Sequence, residues 1–301
     1  MKQHQGIALI QVLLITAILS VFALYLTQTA KEQVTIAQWG DEKALALVAL
    51  HSAEAELLFT LLTEQKKYPI ENSSQDNEIV KTWNFHNQAF SMQDQVTVKM
   101  QDQSGLMYAY QPDNKLLTTM LTTIGATTDE ANNLVARLID WQDLDNIPRL
   151  NGSESAGQNM PPRNAKVADI HEFSFIEGIT SEQLNLLLAT TSLYKQASFN
   201  PMVAPESILA ALFAQLALGS DTLNQVIELR KKGQLSTELF EQLTEISENN
   251  EQEILFYITN NTHIKLTSTV GESSVSKSII LNVNPYATRN IHPINLYSNR
   301  G

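Results

Sequence analysis

The chain has 301 residues, 43% of them hydrophobic and 17% charged, with a formal net charge of −12 and no cysteine. That length and apolar content supply one sizeable core or two smaller ones. The acidic balance weighs against nucleic acid, or an anionic membrane surface, as a partner of the soluble part, and the absence of cysteine excludes disulfides and thiolate metal sites.

The first element is an apolar run, "QGIALIQVLLITAILSVFALYL", interrupted only by Gln11, Thr16 and Ser20 once it begins at Ile7. Twenty helical residues, Ile7 to Leu26, cover about 30 Å, the hydrocarbon thickness of a bilayer. The run outlasts the roughly 7–15 apolar residues of a secretory signal, which normally ends in a small-residue cleavage site. It continues without an early Pro or Gly into a stretch with apolar residues at Leu47, Leu50, Ala53, Leu57, Leu58, Leu61 and Leu62, which is helical spacing. One long helix over 7–66 is expected, its 7–26 part transmembrane, with Gly40 as a bending point and Pro69 beyond its end. No second run reaches membrane length. Lys2 and the free amine put the N-terminus on the cytoplasmic side, so the remainder faces the periplasm.

Residues 67–114 then read as a β region. Val96, Val98 and Met100 alternate, a turn falls at Ser104-Gly105, and Leu106, Tyr108 and Tyr110 alternate again. From Lys115 the period becomes helical, with Thr128 or Asp129 as N-cap. Helical patterns recur over Thr180–Leu188, Pro205–Leu218, Leu223–Lys231 and Leu239–Ile246, and "ELRKKG" reads as a helix C-terminus. Residues 248–301 return to β alternation. Strands on both sides of a helical block over 115–247 predict an α+β fold: one small antiparallel sheet with a large all-α subdomain inserted into it.

Two chemical readings follow. Hard oxygen donors cluster in "DWQDLDNIPRLNGSE": Asp140, Asp143, Asp145, Asn146 and Glu154. Calcium takes six to eight such oxygens from a flexible loop. Counted from Asp143, Asp145 is third and Glu154 twelfth, as in an EF-hand, but Ile147 and Pro148 hold the fifth and sixth places, so the loop is not one. The bland reading is a solvated acidic loop with Asp140 paired to Arg137 or Arg149. The stretch from Phe175 to Leu212 has a helix-hairpin-helix look, yet Pro161–Gly233 carries six Lys/Arg against seven Asp/Glu, so it reads as architectural and not as a phosphate grip. There is no Gly-x-Ser-x-Gly, P-loop, dinucleotide fingerprint or His-Glu-x-x-His, and no enzyme is expected.

The leader Met1–Gln5, then Gly6 and the apolar run, resembles a type IV prepilin or type II secretion pseudopilin. That resemblance implies cleavage by a prepilin peptidase between Gly6 and Ile7, with 1–6 as leader, and methylation. It also makes Gln11 the fifth mature residue, where family members usually carry Glu. Further stretches resemble the minor pseudopilin K family of the type II secretion system: "LVARLIDWQDLDNIPRLNGSE", "PPRNAKVADIHEFSFIEGIT" and "SFNPMVAPESILAAL". Two departures are Asn200-Pro201-Met202-Val203-Ala204, for the usual Asn-x-Asn-Thr-Ala, and Gln103-Ser104-Gly105 in the strand segment. The resemblance implies an α-domain inserted into a pilin-type α/β domain, calcium bound in the α-domain, and a single-pass inner-membrane protein with its C-terminal domain in the periplasm. It implies a structural role at the tip of the pseudopilus and in starting its assembly. The implied partners are the I- and J-type minor pseudopilins, the major pseudopilin, the inner-membrane secretion platform and the prepilin peptidase. The competing reading is a minor pilin or tip adhesin of a type IV pilus.

Overall fold

The computed structural model describes residues 5–68, 77–154, 161–249, 251, 253–285 and 292–300. Met1 to His4 of the expected leader, Pro69 and the loop that follows Glu154 lie outside them.

Helix α1 (Gln5–Thr63) is 59 residues long and runs unbroken through Gly40, about 90 Å at 1.5 Å per residue. Its two halves differ in environment. In the first half Leu9 to Leu26 are exposed on every side. In the second, Ala46, Leu50, Ala53, Leu57 and Leu61 are buried. Their spacing of three and four residues puts them on one stripe.

That stripe packs on a five-stranded antiparallel sheet in the order β1-β2-β5-β6-β7, formed by β1 (Phe90–Met92), β2 (Val96–Asp102), β5 (Asn261–Val270), β6 (Ser273–Val283) and β7 (Ile294–Arg300). The register sets Val98 opposite Leu266, Met100 opposite Ile264, and Ile264 opposite Ile279. All five side chains are buried in one core with Leu50, Leu57, Leu61 and Trp83. Polar contacts fix the helix on the sheet: Lys277 Nζ reaches both Glu54 oxygens at 2.7 Å, and Gln93 donates to Glu56 at 2.6 Å. The β5–β6 hairpin tip meets α1 at Trp39 and Glu42. Gly271 turns that hairpin with φ +56°, and a Cβ there would lie 2.4 Å from the Glu42 carboxylate.

Between β2 and β5 the chain builds a second core. Besides the short α2 (Glu78–Thr82) ahead of the sheet, the helices are α3 (Asn114–Thr123), α4 (Thr128–Asp140), α5 (Ser181–Thr190), α6 (Glu206–Gln215), α7 (Ser220–Lys231) and α8 (Thr237–Thr244). Leu117, Met120, Leu121, Leu138, Phe173, Leu209, Phe213 and Phe240 fill the space between them. The α+β class, with a helical block between strands of one sheet, is therefore as expected.

Details depart from the sequence reading. The stretch from Lys115 is two helices, separated where Gly125 adopts φ +97°. The cap of α4 is Thr127, not Thr128 or Asp129. Thr127 sits three residues before Glu130, and the two exchange side-chain-to-backbone bonds in a capping box. After Asp102 the chain does not return along the sheet. A 3-10 turn, Gln103–Gly105, presses against Val203, whose carbonyl oxygen lies 2.6 Å from where a Gly105 Cβ would be. Only β3 (Met107–Tyr108) follows, in parallel with β4 (Thr191–Ser192), so the inserted block carries a small strand pair of its own.

Candidate metal centre

Helix α4 delivers Asp140 to the interior as its last residue, with no exposed surface. What holds it there is the packing of the next two residues. Trp141 is buried in the helical core, and the Gln142 side-chain amide donates to the carbonyls of Ala109 (3.0 Å) and Leu138 (3.2 Å). The following loop folds back over Asp140. Asp145 Oδ1 accepts from Ile147 N at 2.8 Å, a local turn of the kind Asp favours. Arg149 N then donates to Asp140 Oδ2 at 3.1 Å, and Gly152 N to Arg149 O at 2.8 Å. A Cβ on Gly152 would lie 1.8 Å from Asp140 Oδ2, so only glycine lets the loop close this tightly.

The fold brings Asp140, Asp143 and Glu154 together, one oxygen from each within 4.8 Å of the others. Arg149 bridges two of them: Nη1 donates to Asp140 Oδ1 at 2.7 Å and also to Asp143 Oδ2. Glu154 has no such partner. Both of its oxygens are buried without a hydrogen bond among the described residues, as is Asp143 Oδ1. Burial, then the charges of Asp143, Asp140 and Asp145, push the Glu154 carboxyl above its ordinary range, against the pull of Arg149. Three carboxylates and one guanidinium leave two negative charges uncompensated. Three oxygens each about 2.4 Å from one ion can lie up to about 4.8 Å apart, so the triad spans the right distance for calcium. The donor set is all hard oxygen, which suits calcium or magnesium and not zinc.

Asp145 and Asn146 are placed on the exposed side of the loop. Asp145 is engaged by Ile147, and Asn146 Oδ1 accepts from Asn164 Nδ2 at 2.7 Å. Asn164 also donates its backbone N–H to Trp141 O, and its own side-chain oxygen is buried without a partner among the described residues. Sequence spacing gave no hint of Asn164, because it lies ten residues beyond Glu154 on a separate segment. Gln11 is exposed on the apolar half of α1, and Gly6 and Ile7 lie in that helix's first turns.

With this geometry in hand, comparison with known proteins gives a consistent result. Residues 97–196 match the family described as type II secretion system (T2SS), protein K. The type II secretion system protein K of Pectobacterium carotovorum subsp. carotovorum is 27% identical over an alignment of 177 residues that covers 54% of this chain and 54% of that protein. The match thus spans about half the length of that curated relative. A chain in the crystal structure of the GspK-GspI-GspJ complex from the enterotoxigenic Escherichia coli type 2 secretion system superposes with a TM-score of 0.55. The match covers 90% of this chain and 98% of that one at 15% identity, which speaks for the fold. The resemblance to the protein K family is borne out, and the matched residues include Asp140, Asp143, Asp145, Asn146 and Glu154.

Proposed function

We propose that this chain, whose residues 97–196 are a type II secretion protein K domain, is a structural minor pseudopilin and not an enzyme. One observation carries the reading. The protein K match covers β2 and the inserted helical block as far as α5, while the same chain holds a 59-residue helix that is half exposed and apolar and half docked on a sheet. The exposed half, Leu9 to Leu26, is of membrane length and serves as the inner-membrane anchor; the sheet and helical block stand in the periplasm. Gly6–Ile7 is the bond a prepilin peptidase cuts, and the new N-terminus is methylated.

In this reading the chain sits at the tip with I- and J-type minor pseudopilins as neighbours, and those neighbours are supported by the complex in which the structural relative was solved. Gln11 suits that place. Each processed N-terminus brings an ammonium into an apolar helix bundle, where an unpaired charge is costly. A Glu at the fifth mature position offsets a neighbour's ammonium; a neutral Gln only hydrogen-bonds. The helical block is also too bulky to repeat along a tightly packed shaft, so a subunit used once, at the end, fits. From the tip it helps to start assembly, with the major pseudopilin and the inner-membrane platform as further partners. The triad Asp140, Asp143 and Glu154 holds a calcium ion, which supplies the positive charge the cluster lacks.

The test is co-purification of the detergent-solubilised full chain with I- and J-type pseudopilins, followed by light scattering. A defined complex with one copy of this chain is expected. Long filaments of this chain alone, or no association at tens of micromolar, would sink the tip role.

A further inference from the structure

Arg230 lies in the last turn of α7 and is 7% exposed. Its Nη1 donates to Ala204 O at 2.6 Å, and among the described residues its Nε has no partner and no ion pair includes it. A guanidinium has five donors to satisfy, and a buried cation without a carboxylate is expensive. The acid close by, Glu206, is turned to Lys231 at 3.6 Å. The helix-end role explains one donor only: Ala204 is the C-cap of the 3-10 turn Pro201–Val203, and Arg230 satisfies its carbonyl. A lysine or glutamine would do as much.

Arg230 also lines a cleft of about 270 Å³. On one side is the His86–Gln88 turn beside β2; on the other are Pro205, Glu206, Arg230 and Lys231. The cleft therefore sits at the junction of the two cores. Pro205 is the N-cap of the ten-residue helix α6 and has no side chain to bond the first amides. An uncapped helix N-terminus points free N–H groups and the positive end of the helix dipole outward. His86 brings no charge at neutral pH: burial, then the Arg230 charge, push it down to about 3, and its Nε2 lies 3.1 Å from Gln88 Oε1. The lining carries Arg230 and Lys231 against one acid, Glu206, which is itself paired with Lys231; that net positive charge and the bare helix end favour an anionic guest.

We propose that this cleft receives a single small oxyanion, a carboxylate or phosphate group, held by Arg230 and the amide end of α6. The group arrives either as a free anion or at the tip of an acidic side chain.

The experiment is thermal unfolding of the full chain in detergent, with chloride replaced at constant ionic strength by acetate, by inorganic phosphate, or by a blocked tripeptide with a central Asp. The Asn version of the tripeptide is the control. At ten times the dissociation constant, the melting temperature should rise by about 2–5 °C. Arg230→Gln should lose that rise. Lys231→Met, a half-exposed position whose ion pairs with Glu206 and Glu228 lie at the surface, should weaken binding about twofold to fivefold and covers the case in which Arg230→Gln fails to fold. Tighter binding of the Asp peptide than of acetate assigns the group to a partner's side chain; equal or weaker binding assigns it to a free anion. An unchanged melting temperature in every anion, or an undiminished rise in both variants, overturns the proposal.

Discussion

Gly152 and Asp140 compete for the same few ångströms, and the loop depends on glycine losing that competition. In Gly152→Ala the new Cβ has to displace a buried carboxylate oxygen 1.8 Å away. Overpacking of this kind costs about 1–3 kcal/mol. The melting temperature should fall, and the rise of about 5 °C or more expected for the native chain in millimolar calcium should shrink; scans in calcium and in chelator check both. Glu154 gives a pH signature. Its carboxyl is raised in the folded chain from an ordinary 4.5, chiefly by burial. The folded state therefore holds the proton longer than the unfolded one, and without calcium this share of stability is lost as pH rises from 4.5 through the folded value. Glu154→Gln should flatten that loss in chelator, and calcium should abolish it in the native chain. An identical slope in native and variant proteins would remove Glu154 from the cluster. Asp140, Asp143 and Glu154 were legible in the sequence as acids in one loop. Which acids converge was not, because a local turn at Asp145 and a bond from Asn164 to Asn146 decide which side of the loop each one faces.

At the scale of elements, Lys66 joins α1 to the sheet. Three residues past the helix end, its Nζ donates to Thr259 O at 3.0 Å and Asn260 Oδ1 at 2.8 Å. Burial holds its pKa down to about 8 from 10.5, partly offset by Asp102. The unfolded chain binds the extra proton between those values, so stability rises with pH from about 8 to 10.5. Lys66→Met should remove that rise in denaturant midpoints measured across the range; a rise that persists would mean another group causes it. Helix α1 itself was plain in the sequence because its signals are local: a membrane-length apolar run joined to a stripe at helical spacing. The exit of the chain from the sheet at Gln103 was not local. It depends on Val203, about a hundred residues away, occupying the space over Gly105. Strand β7 was folded into a general β region and not singled out, since it is an edge strand with Asn295, Ser298 and Asn299 breaking its apolar pattern, and it pairs with β6 through a register shift at Ile280/Leu281.

The whole molecule has two cores that meet along a short polar seam, and Asp102 is its centre. This residue, fully buried at the end of β2, accepts from Ser104 N and Oγ at 2.9 Å, from Thr259 Oγ1 at 2.6 Å, and from Thr259 N. It thereby ties the exit of the chain into the helical block to its return into β5. Beside it, Asn200 Nδ2 donates to Tyr68 Oη at 2.7 Å and Tyr257 O at 2.9 Å, and Gln101 Nε2 donates to Val203 O at 2.8 Å. Val203 packs in the sheet core while its neighbours Met202 and Ala204 pack in the helical one. Removing the carboxylate in Asp102→Ala leaves buried N–H and O–H donors unpaired, at about 1–3 kcal/mol for each buried group so stranded. The cost falls on the seam and on neither core alone, so cooperation between the two should fail before either of them unfolds. The tryptophans allow this to be read. Trp83 is in the sheet core, Trp141 in the helical core, and Trp39 is 47% exposed on α1. In a Trp39→Phe background, single-tryptophan versions should give coincident denaturation curves for the native seam. With Asp102→Ala the Trp83 and Trp141 curves should separate, and both midpoints should fall. Coincident curves in the variant, shifted or not, would show that the cores are joined by something other than this seam.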